Sequence, residues 1–156
     1  MTETDLNLRV LPNQRKTAFV SFRVWYLCNG YLEVISNEGL DAAYWHELGH
    51  MTRRSLMALY AFFLFVVGAI GLLFLPVILF PGFLLMLYLC ACYFLRQGEY
   101  EADRYSLEHS TPEGVMDMLQ IEGERLDLWY AQLFYPFRWH PCYRRRVHYL
   151  KKQWSW

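Results

Sequence analysis

Between Leu56 and Leu95 the chain reads LMALYAFFLFVVGAIGLLFLPVILFPGFLLMLYLCACYFL, a stretch with no charged residue. Its length is enough for two helices of about 20 residues, and one such helix crosses the apolar part of a bilayer. Two prolines and a glycine at positions 76, 81 and 82 interrupt it near the middle, where a turn is expected. The sequence therefore predicts a transmembrane helical hairpin with helices at Leu56–Leu75 and Val77–Leu95.

Basic residues on both sides of this stretch orient the predicted hairpin. Arg53 and Arg54 precede it and Arg96 follows it, whereas the connecting turn is uncharged. By the positive-inside rule both termini face the cytoplasm. The N-terminal sequence Met1–Asp5 is polar and acidic, unlike a signal peptide, so we expect an integral protein of the cell or inner membrane. Because the turn is itself apolar, a hairpin that barely reaches the far interface is an open alternative.

The composition indicates one membrane-anchored domain over residues 1–156. The 15 basic and 15 acidic residues balance, so no electrostatic argument favours a nucleic-acid partner. The cysteines show neither zinc-type nor disulfide-type spacing and are expected to be reduced packing residues. They are Cys28, Cys90, Cys92 and Cys142.

The part before the apolar stretch, residues 1–55, has the pattern of a small sheet followed by a helix. Apolar and polar residues alternate at 6–11 and again, more strongly, at 17–28. Asn29-Gly30 is typical of a two-residue hairpin turn, which makes residues 31–35 the return strand. The pattern thus predicts a small antiparallel sheet.

The next predicted helix, from Glu38 through Met51, contains the sequence His46-Glu47-Leu48-Gly49-His50. Four residues apart on a helix, His46 and His50 lie on one face, and their imidazoles can bind one Zn²⁺. Glu47 lies at the neighbouring edge and can accept a proton from a water bound to the metal. The simpler alternative is an amphipathic helix with two surface histidines.

A catalytic zinc site needs three protein ligands and one open position for water, so a third ligand is required. The two helices of a hairpin return to the same side about 8–10 Å apart. His50 precedes the hairpin by six residues and Glu99 follows it by four, which predicts that Glu99 is that ligand. Asp103, one helical turn further, is expected to accept the Nδ1–H of a ligand histidine and orient its ring. Without the His-Glu helix, these acids would be interpreted as a surface cluster paired with Arg96 and Arg104.

Residues 96–156 are predicted to contain the helix of the third ligand and a C-terminal helical and aromatic segment. The helix with Glu99 is expected over 96–109, and Thr111-Pro112-Glu113 has the composition of a helix start. Aromatic residues are dense at Leu126–Trp139. Such density suits a surface at the level of lipid headgroups, with a packed aromatic core as the alternative.

Taken in order, these motifs resemble those of the HtpX-like and CAAX-prenyl-protease-type zinc metallopeptidases, which are membrane-bound gluzincins. Tyr31–Ala43 together with His46–His50 is similar to that family's approach to its active-site helix. Glu99–Asp103 resembles its Glu-x-x-Ala-Asp motif, and His140–Leu150 resembles its C-terminal His-Pro…Arg-Val…Leu segment. The resemblance covers residues 17–150. It implies an α+β fold with zincin-type active-site helices and the hairpin inserted between them.

The resemblance also implies an endopeptidase for membrane or membrane-associated proteins, with substrate added as a strand along the Thr17–Tyr26 edge. It suggests that His140, or Arg146 near it, helps to stabilise the oxyanion. A packing or capping role for His140 is an equal alternative, and His148 competes with it. Larger members of the family have transmembrane helices before the His-Glu motif. Here the hairpin is the expected anchor, and a homo-oligomer that completes the cleft is an open possibility.

The expected function is therefore a zinc endopeptidase with His46, His50 and Glu99 as metal ligands and Glu47 as general base. The alternative from another class is a membrane sensor or regulatory protein with a metalloprotease-like body. Such a protein would act on itself or on one dedicated partner, or would be non-catalytic. Manganese or cobalt could occupy the same ligands as zinc.

Overall fold

The computed structural model describes residues 7–15, 18–21, 24–52, 54–124 and 134–154. Most of these residues are helical and a small sheet lies at the N-terminal end, so the fold is α+β as predicted. The strands are β1 (Asn7–Leu11), β2 (Ala18–Ser21) and β3 (Val24–Cys28). The helices are α1 (Asn29–Leu32), α2 (Asn37–Thr52), α3 (Arg54–Phe74), α4 (Phe80–His109), α5 (Pro112–Glu124) and α6 (Tyr143–Trp154), with 3₁₀ turns at Val77–Leu79 and Tyr135–Phe137.

Parts of several predictions lie outside the described residues. They are Met1–Asp5, which served the argument against a signal peptide, Arg53, which entered the orientation of the hairpin, and positions 126–133 of the aromatic segment. Position 6 of the first predicted strand and positions 17, 22 and 23 of the predicted edge strand lie outside them as well.

The sheet has the order β1-β3-β2 and is mixed. Strands β2 and β3 are antiparallel, with Phe19 opposite Tyr26 and their rings stacked at 5.0 Å between centroids. Strand β1 is parallel to β3, with Leu8 beside Trp25. The prediction of an antiparallel sheet is therefore correct for one pair of strands and wrong for the other. A parallel pair needs a crossover connection, and β2 lies between β1 and β3 in the chain.

The predicted hairpin at Asn29-Gly30 is wrong. The antiparallel partner of β3 is the preceding strand β2, and Asn29 begins the short helix α1. The reason is tertiary: the Gly30 N–H donates to the carbonyl of Asn13 at 3.1 Å, and Tyr31 is fully buried in the core. A Cβ at Gly30 would collide with the backbone of Gln14, so glycine serves a close approach and not a type I′ turn.

Helix α2 confirms the predicted helix over 38–51 to within one residue at each end. Its first turn is capped by Ser36, whose hydroxyl accepts a hydrogen bond from the Gly39 N–H at 3.0 Å. The same hydroxyl donates to Asp117 on α5 at 2.6 Å, and the Ser36 N–H does so at 2.8 Å. Through these hydrogen bonds to Asp117, Ser36 also connects the start of α2 to α5.

The hydrophobic core lies between the sheet and helices α2, α4, α5 and α6. All four cysteines are free, and three of them are buried. Helix α5 begins as predicted, with the Gly114 N–H donating to the Thr111 hydroxyl at 3.1 Å. The buried apolar cluster comprises Trp25, Leu27, Tyr31, Ala42, Ala43, Leu107, Val115, Met118, Leu119, Ile121 and Leu150.

Helices α3 and α4 form an antiparallel pair. Tyr60 stacks on Phe94 at 4.4 Å between centroids, and Gly71, further along α3, lies against Phe83, which comes earlier in α4. Large apolar side chains on this pair are exposed. Examples on α3 are Phe62, Phe65, Leu73 and Phe74, and on α4 Leu84 and Leu85.

Within the described part of the chain, one helical segment, Val77–His109, is long and apolar enough to cross a membrane, whereas the apolar part of α3 at Ala58–Phe74 is shorter. The separate helix predicted over 96–109 is instead the continuation of α4. One continuous helix therefore carries both the apolar residues after Leu79 and Glu99.

Candidate metal centre

Helix α2 presents His46 and His50 one turn apart on the face that packs against α4. His46 is 4% exposed, and His50 is half-buried. The two rings are perpendicular, with centroids 4.7 Å apart, and their Nε2 atoms are 3.1 Å apart. The Nε2 atoms of the two rings therefore point toward the same place.

Small residues allow α2 to approach α4 closely at this level. A Cβ added to Gly49 would lie 3.1 Å from the Cα of Ala102 and 3.1 Å from the Cβ of Tyr105. Seven residues before Gly49 on α2 and four residues after Ala102 on α4, the completely buried Ser106 hydroxyl donates to the Ala42 carbonyl at 2.7 Å. The close packing of α2 on α4 thus explains the small residues Gly49 and Ala102.

Glu99 reaches the two histidines from α4. Its Oε2 lies 3.7 Å from Nε2 of His46, and its Oε1 lies 3.5 Å from Nε2 of His50. Two ligands bound at 2.0–2.2 Å to a tetrahedral ion are separated by about 3.3–3.6 Å. The Nε2 atoms of the two histidines are 3.1 Å apart, and each lies 3.5 or 3.7 Å from a different oxygen of Glu99, distances close to that value. His46, His50 and Glu99 therefore form a group that could hold a metal ion, as the sequence predicted.

Asp103 and Arg146 lie behind His46. Oδ1 of Asp103 is 3.0 Å from Nδ1 of His46, an ion-pair contact at the position expected of the residue that orients this ring. Arg146 donates from Nε to the other oxygen of Asp103 at 2.7 Å and from Nη2 to the first. Its Nη1 donates to Glu122 at 2.7 Å. Arg146 is 3% exposed, so its placement favours a positioning role through Asp103 over contact with substrate.

The charges of this cluster follow from burial and from these contacts. Burial lowers the pKa of His46, but the contact with the Asp103 carboxylate outweighs this effect and raises it to about 9. Burial and the proximity of His46 lower the pKa of His50 to about 4. Burial raises the pKa of Glu99, but contact with His140 and the charge of Arg146 outweigh it and hold that pKa well below its usual range. At neutral pH Glu99 is therefore anionic and His50 has a free lone pair for a metal, whereas His46 is protonated, so metal binding would release a proton from its Nε2.

The C-terminal segment brings His140 to the same place. Its Nδ1 lies 3.1 Å from Oε1 of Glu99, and the side chain is 59% exposed. The contact with Glu99 raises the pKa of His140. His148, the competing candidate, is an exposed residue of α6. Glu47, the expected general base, is half-buried on α2 immediately after His46.

Glu122 is the member of this cluster that the sequence did not predict. It lies on α5, and its carboxylate reaches Arg146, 24 residues away in the chain. Acids in the second half of an amphipathic helix are usually solvent-exposed, so the sequence carries no signal for this contact.

Comparisons of the chain with protein-family models, curated proteins and solved structures find no match. A function can therefore be argued only from the residues described above and their geometry.

Proposed function

We propose that this protein is an integral-membrane zinc endopeptidase that cleaves membrane or membrane-associated proteins. The observation that carries the proposal is the convergence of His46, His50 and Glu99 at separations suited to one tetrahedral ion. Glu47 lies directly after the first ligand on the same helix. Two imidazoles, one carboxylate and an adjacent second carboxylate form the usual constellation of a zinc-dependent hydrolase of peptide bonds.

The donor set favours zinc among biological metals. Imidazole nitrogen suits zinc, copper, iron and nickel, whereas calcium and magnesium prefer sets of oxygen ligands. Three protein ligands leave the fourth tetrahedral position for water or substrate, as a catalytic site requires. A structural zinc site would use a fourth protein ligand.

In the proposed reaction, Glu47 is the general base and then the general acid. Zinc bound to the three ligands would supply a Lewis acid that polarises the scissile carbonyl and makes water more acidic. Glu47 takes a proton from the attacking water, whose oxygen forms a bond to the carbonyl carbon. It then delivers that proton to the amine nitrogen as the C–N bond breaks. We propose that His140, which is exposed and contacts Glu99, donates a hydrogen bond to the oxyanion.

For the membrane, we propose that α3 and α4 form the predicted two-helix hairpin. The support is their antiparallel packing, their exposed apolar side chains and the uncharged turn between them. By the positive-inside rule both ends of the hairpin, and with them the metal site, face the cytoplasm. Since α4 continues from the apolar segment to Glu99 without a break, the site would lie close to the membrane surface.

For the substrate, we propose binding as an additional strand along β2. The order β1-β3-β2 makes β2 an edge of the sheet, and β2 contacts α2. Of the predicted edge, Thr17–Tyr26, the residues Ala18–Ser21 form the edge strand β2, whereas Val24–Tyr26 belong to β3, the central strand of the sheet. An edge strand can recruit an extended peptide through backbone hydrogen bonds without specifying its sequence.

The decisive experiment compares purified wild-type protein with Glu47→Gln in zinc content and in cleavage of casein, with and without a chelator. We expect Glu47→Gln to retain zinc and lose cleavage by at least about 100-fold, because general acid–base catalysis contributes about 10²–10⁴-fold. Glu38→Gln, an exposed acid at the start of the same helix, is the matched control and should cleave normally. Retention of cleavage by Glu47→Gln would overturn the mechanism. Bound zinc without cleavage of casein by the wild type would favour the dedicated regulator.

A further inference from the structure

Residues 134–139, called here the aromatic turn, lie against α4 and precede His140. The turn contains the 3₁₀ segment Tyr135–Phe137. Three of its side chains, those of Phe134, Phe137 and Trp139, are 55%, 43% and 56% exposed. These three large apolar side chains form an exposed apolar patch within six consecutive residues. No other part of the described chain covers it.

The backbone of this turn is held firmly by Arg96. The guanidinium of Arg96 is buried, and its Nη1 lies within hydrogen-bond distance of three carbonyl oxygens of the turn. These are the carbonyls of Tyr135 at 3.3 Å, Pro136 at 3.1 Å and Arg138 at 2.9 Å. A buried cation satisfied by three carbonyls fixes the path of the chain.

The ring of Tyr135 is a second anchor. The guanidinium carbons of Arg96 and Arg145 lie 4.7 and 3.8 Å from its centroid, and its hydroxyl is 3.0 Å from that of Tyr100. Tyr135 thus faces the protein while its neighbours Phe134 and Phe137 face outward. The exposure of these neighbours is therefore a consequence of how the turn is built.

The turn also reaches toward the membrane along α4. The Tyr88 hydroxyl donates to the Phe137 carbonyl at 2.7 Å. Tyr88 precedes Leu95, the last residue of the uncharged stretch, by seven residues, which corresponds to about 10 Å along a helix. The exposed apolar patch is thus continuous with the apolar surface of α4 and lies at the depth where interfacial segments bury aromatic side chains.

The charge beside the patch is positive. Arg144 and Arg145 open α6 and are exposed, and Arg145 stacks on Tyr135. Aromatic side chains next to arginines suit the boundary between acyl chains and anionic headgroups.

We infer that the aromatic turn is a membrane-insertion element that binds anionic phospholipids in the leaflet next to the metal site. The inference rests on the proposed membrane hairpin and extends it. Trp139 directly precedes His140, whose ring contacts Glu99, so insertion of the turn fixes the height of the site above the lipid. Peptide bonds close to the membrane surface are then the ones within reach.

The test is the quenching of tryptophan fluorescence by lipids brominated at shallow acyl positions. Metal-free full-length protein is reconstituted into vesicles of phosphatidylcholine and phosphatidylglycerol, and wild type is compared with Trp139→Phe. We expect Trp139→Phe to reduce the quenched intensity. Trp45→Phe, the matched control, removes a tryptophan that stacks on His109 and should leave the quenched intensity unchanged.

Equal quenching of wild type and Trp139→Phe would overturn the inference. Equal quenching of Trp139 in vesicles of phosphatidylcholine alone would overturn the preference for anionic lipid. Flotation of the protein with vesicles after an alkaline wash reports the hairpin independently. Protein that floats without quenching at Trp139 contradicts the inference alone, whereas protein that fails to float contradicts the proposed membrane hairpin.

Discussion

At the residue scale, the candidate site depends on a chain of alternating charges that ends at His46. Glu122 and Asp103 both accept hydrogen bonds from the buried Arg146, and Asp103 in turn contacts Nδ1 of His46. This arrangement directs Nε2 of His46 toward Glu99 and His50. A carboxylate held by an arginine orients a ligand ring more rigidly than one that can rotate freely.

Replacing Asp103 with Asn should weaken zinc binding by about 10–100-fold, the usual effect of removing the partner of a ligand histidine. It should also lower the free energy of unfolding by about 3–5 kcal/mol, because Arg146 loses its fully buried partner. Zinc competition with a chromogenic chelator and denaturant unfolding measure the two effects.

Glu122→Gln is the matched change, since Glu122 pairs with Arg146 but belongs to α5 and is more exposed than Asp103. It should lower stability less and leave zinc affinity within about threefold, well short of the loss expected at a direct partner of a ligand histidine. Equal losses of zinc affinity in both variants would contradict a specific role of Asp103 at His46.

At the scale of elements, the site requires α2 and α4 to pack closely at Gly49 and Ala102. Each helix carries its ligands at positions set by its own geometry, but the 3.5 Å separation of His50 and Glu99 depends on the distance between the helices. A side chain at Gly49 would occupy space already filled by Ala102 and Tyr105. The metal site is thus sensitive to a residue that binds no metal.

Gly49→Leu should push α2 away from α4, reduce bound zinc well below one ion per chain and lower stability by about 1–3 kcal/mol, as overpacked cores do. Gly82→Leu is the control, because no atom lies within 4 Å of a Cβ built at Gly82. Metal content by atomic emission and unfolding curves provide the measurement. A Gly49→Leu protein with full zinc content would show that the close approach is dispensable.

At the scale of the whole molecule, the three ligands join parts of the chain on either side of the apolar hairpin. His46 and His50 precede α3, and Glu99 follows the apolar part of α4. A bound ion would therefore link two segments that are about 50 residues apart in the chain, and the unfolded state has no such preformed site.

Zinc should consequently stabilise the folded protein by mass action, by about 2.7 kcal/mol at a free concentration 100 times the Kd. Thermal unfolding with zinc and with chelator measures this difference. Glu99→Gln should abolish it, whereas Glu101→Gln, which changes an acid on the same helix that pairs with Arg104, should preserve it. A zinc-dependent Tm in Glu99→Gln equal to that of wild type would contradict the assigned ligand.

The sequence by itself determined features that depend on local geometry. The four-residue spacing of His46 and His50 sets them on one helical face wherever the helix lies, and Thr111 caps the helix that follows it. The uncharged stretch determined two apolar helices, and their antiparallel return placed Glu99 near His50. Such features follow from helical pitch, capping and chain connectivity, which do not depend on distant residues.

The tertiary structure alone decided the features that depend on packing. It turned Asn29-Gly30 into a helical start, because Gly30 packs on Gln14 and Tyr31 enters the core. It also placed β1 parallel to β3 and brought Arg146 to Asp103 and Glu122. Contacts between residues tens of positions apart are selected by the burial and charge pairing of the whole chain, and no local pattern specifies them.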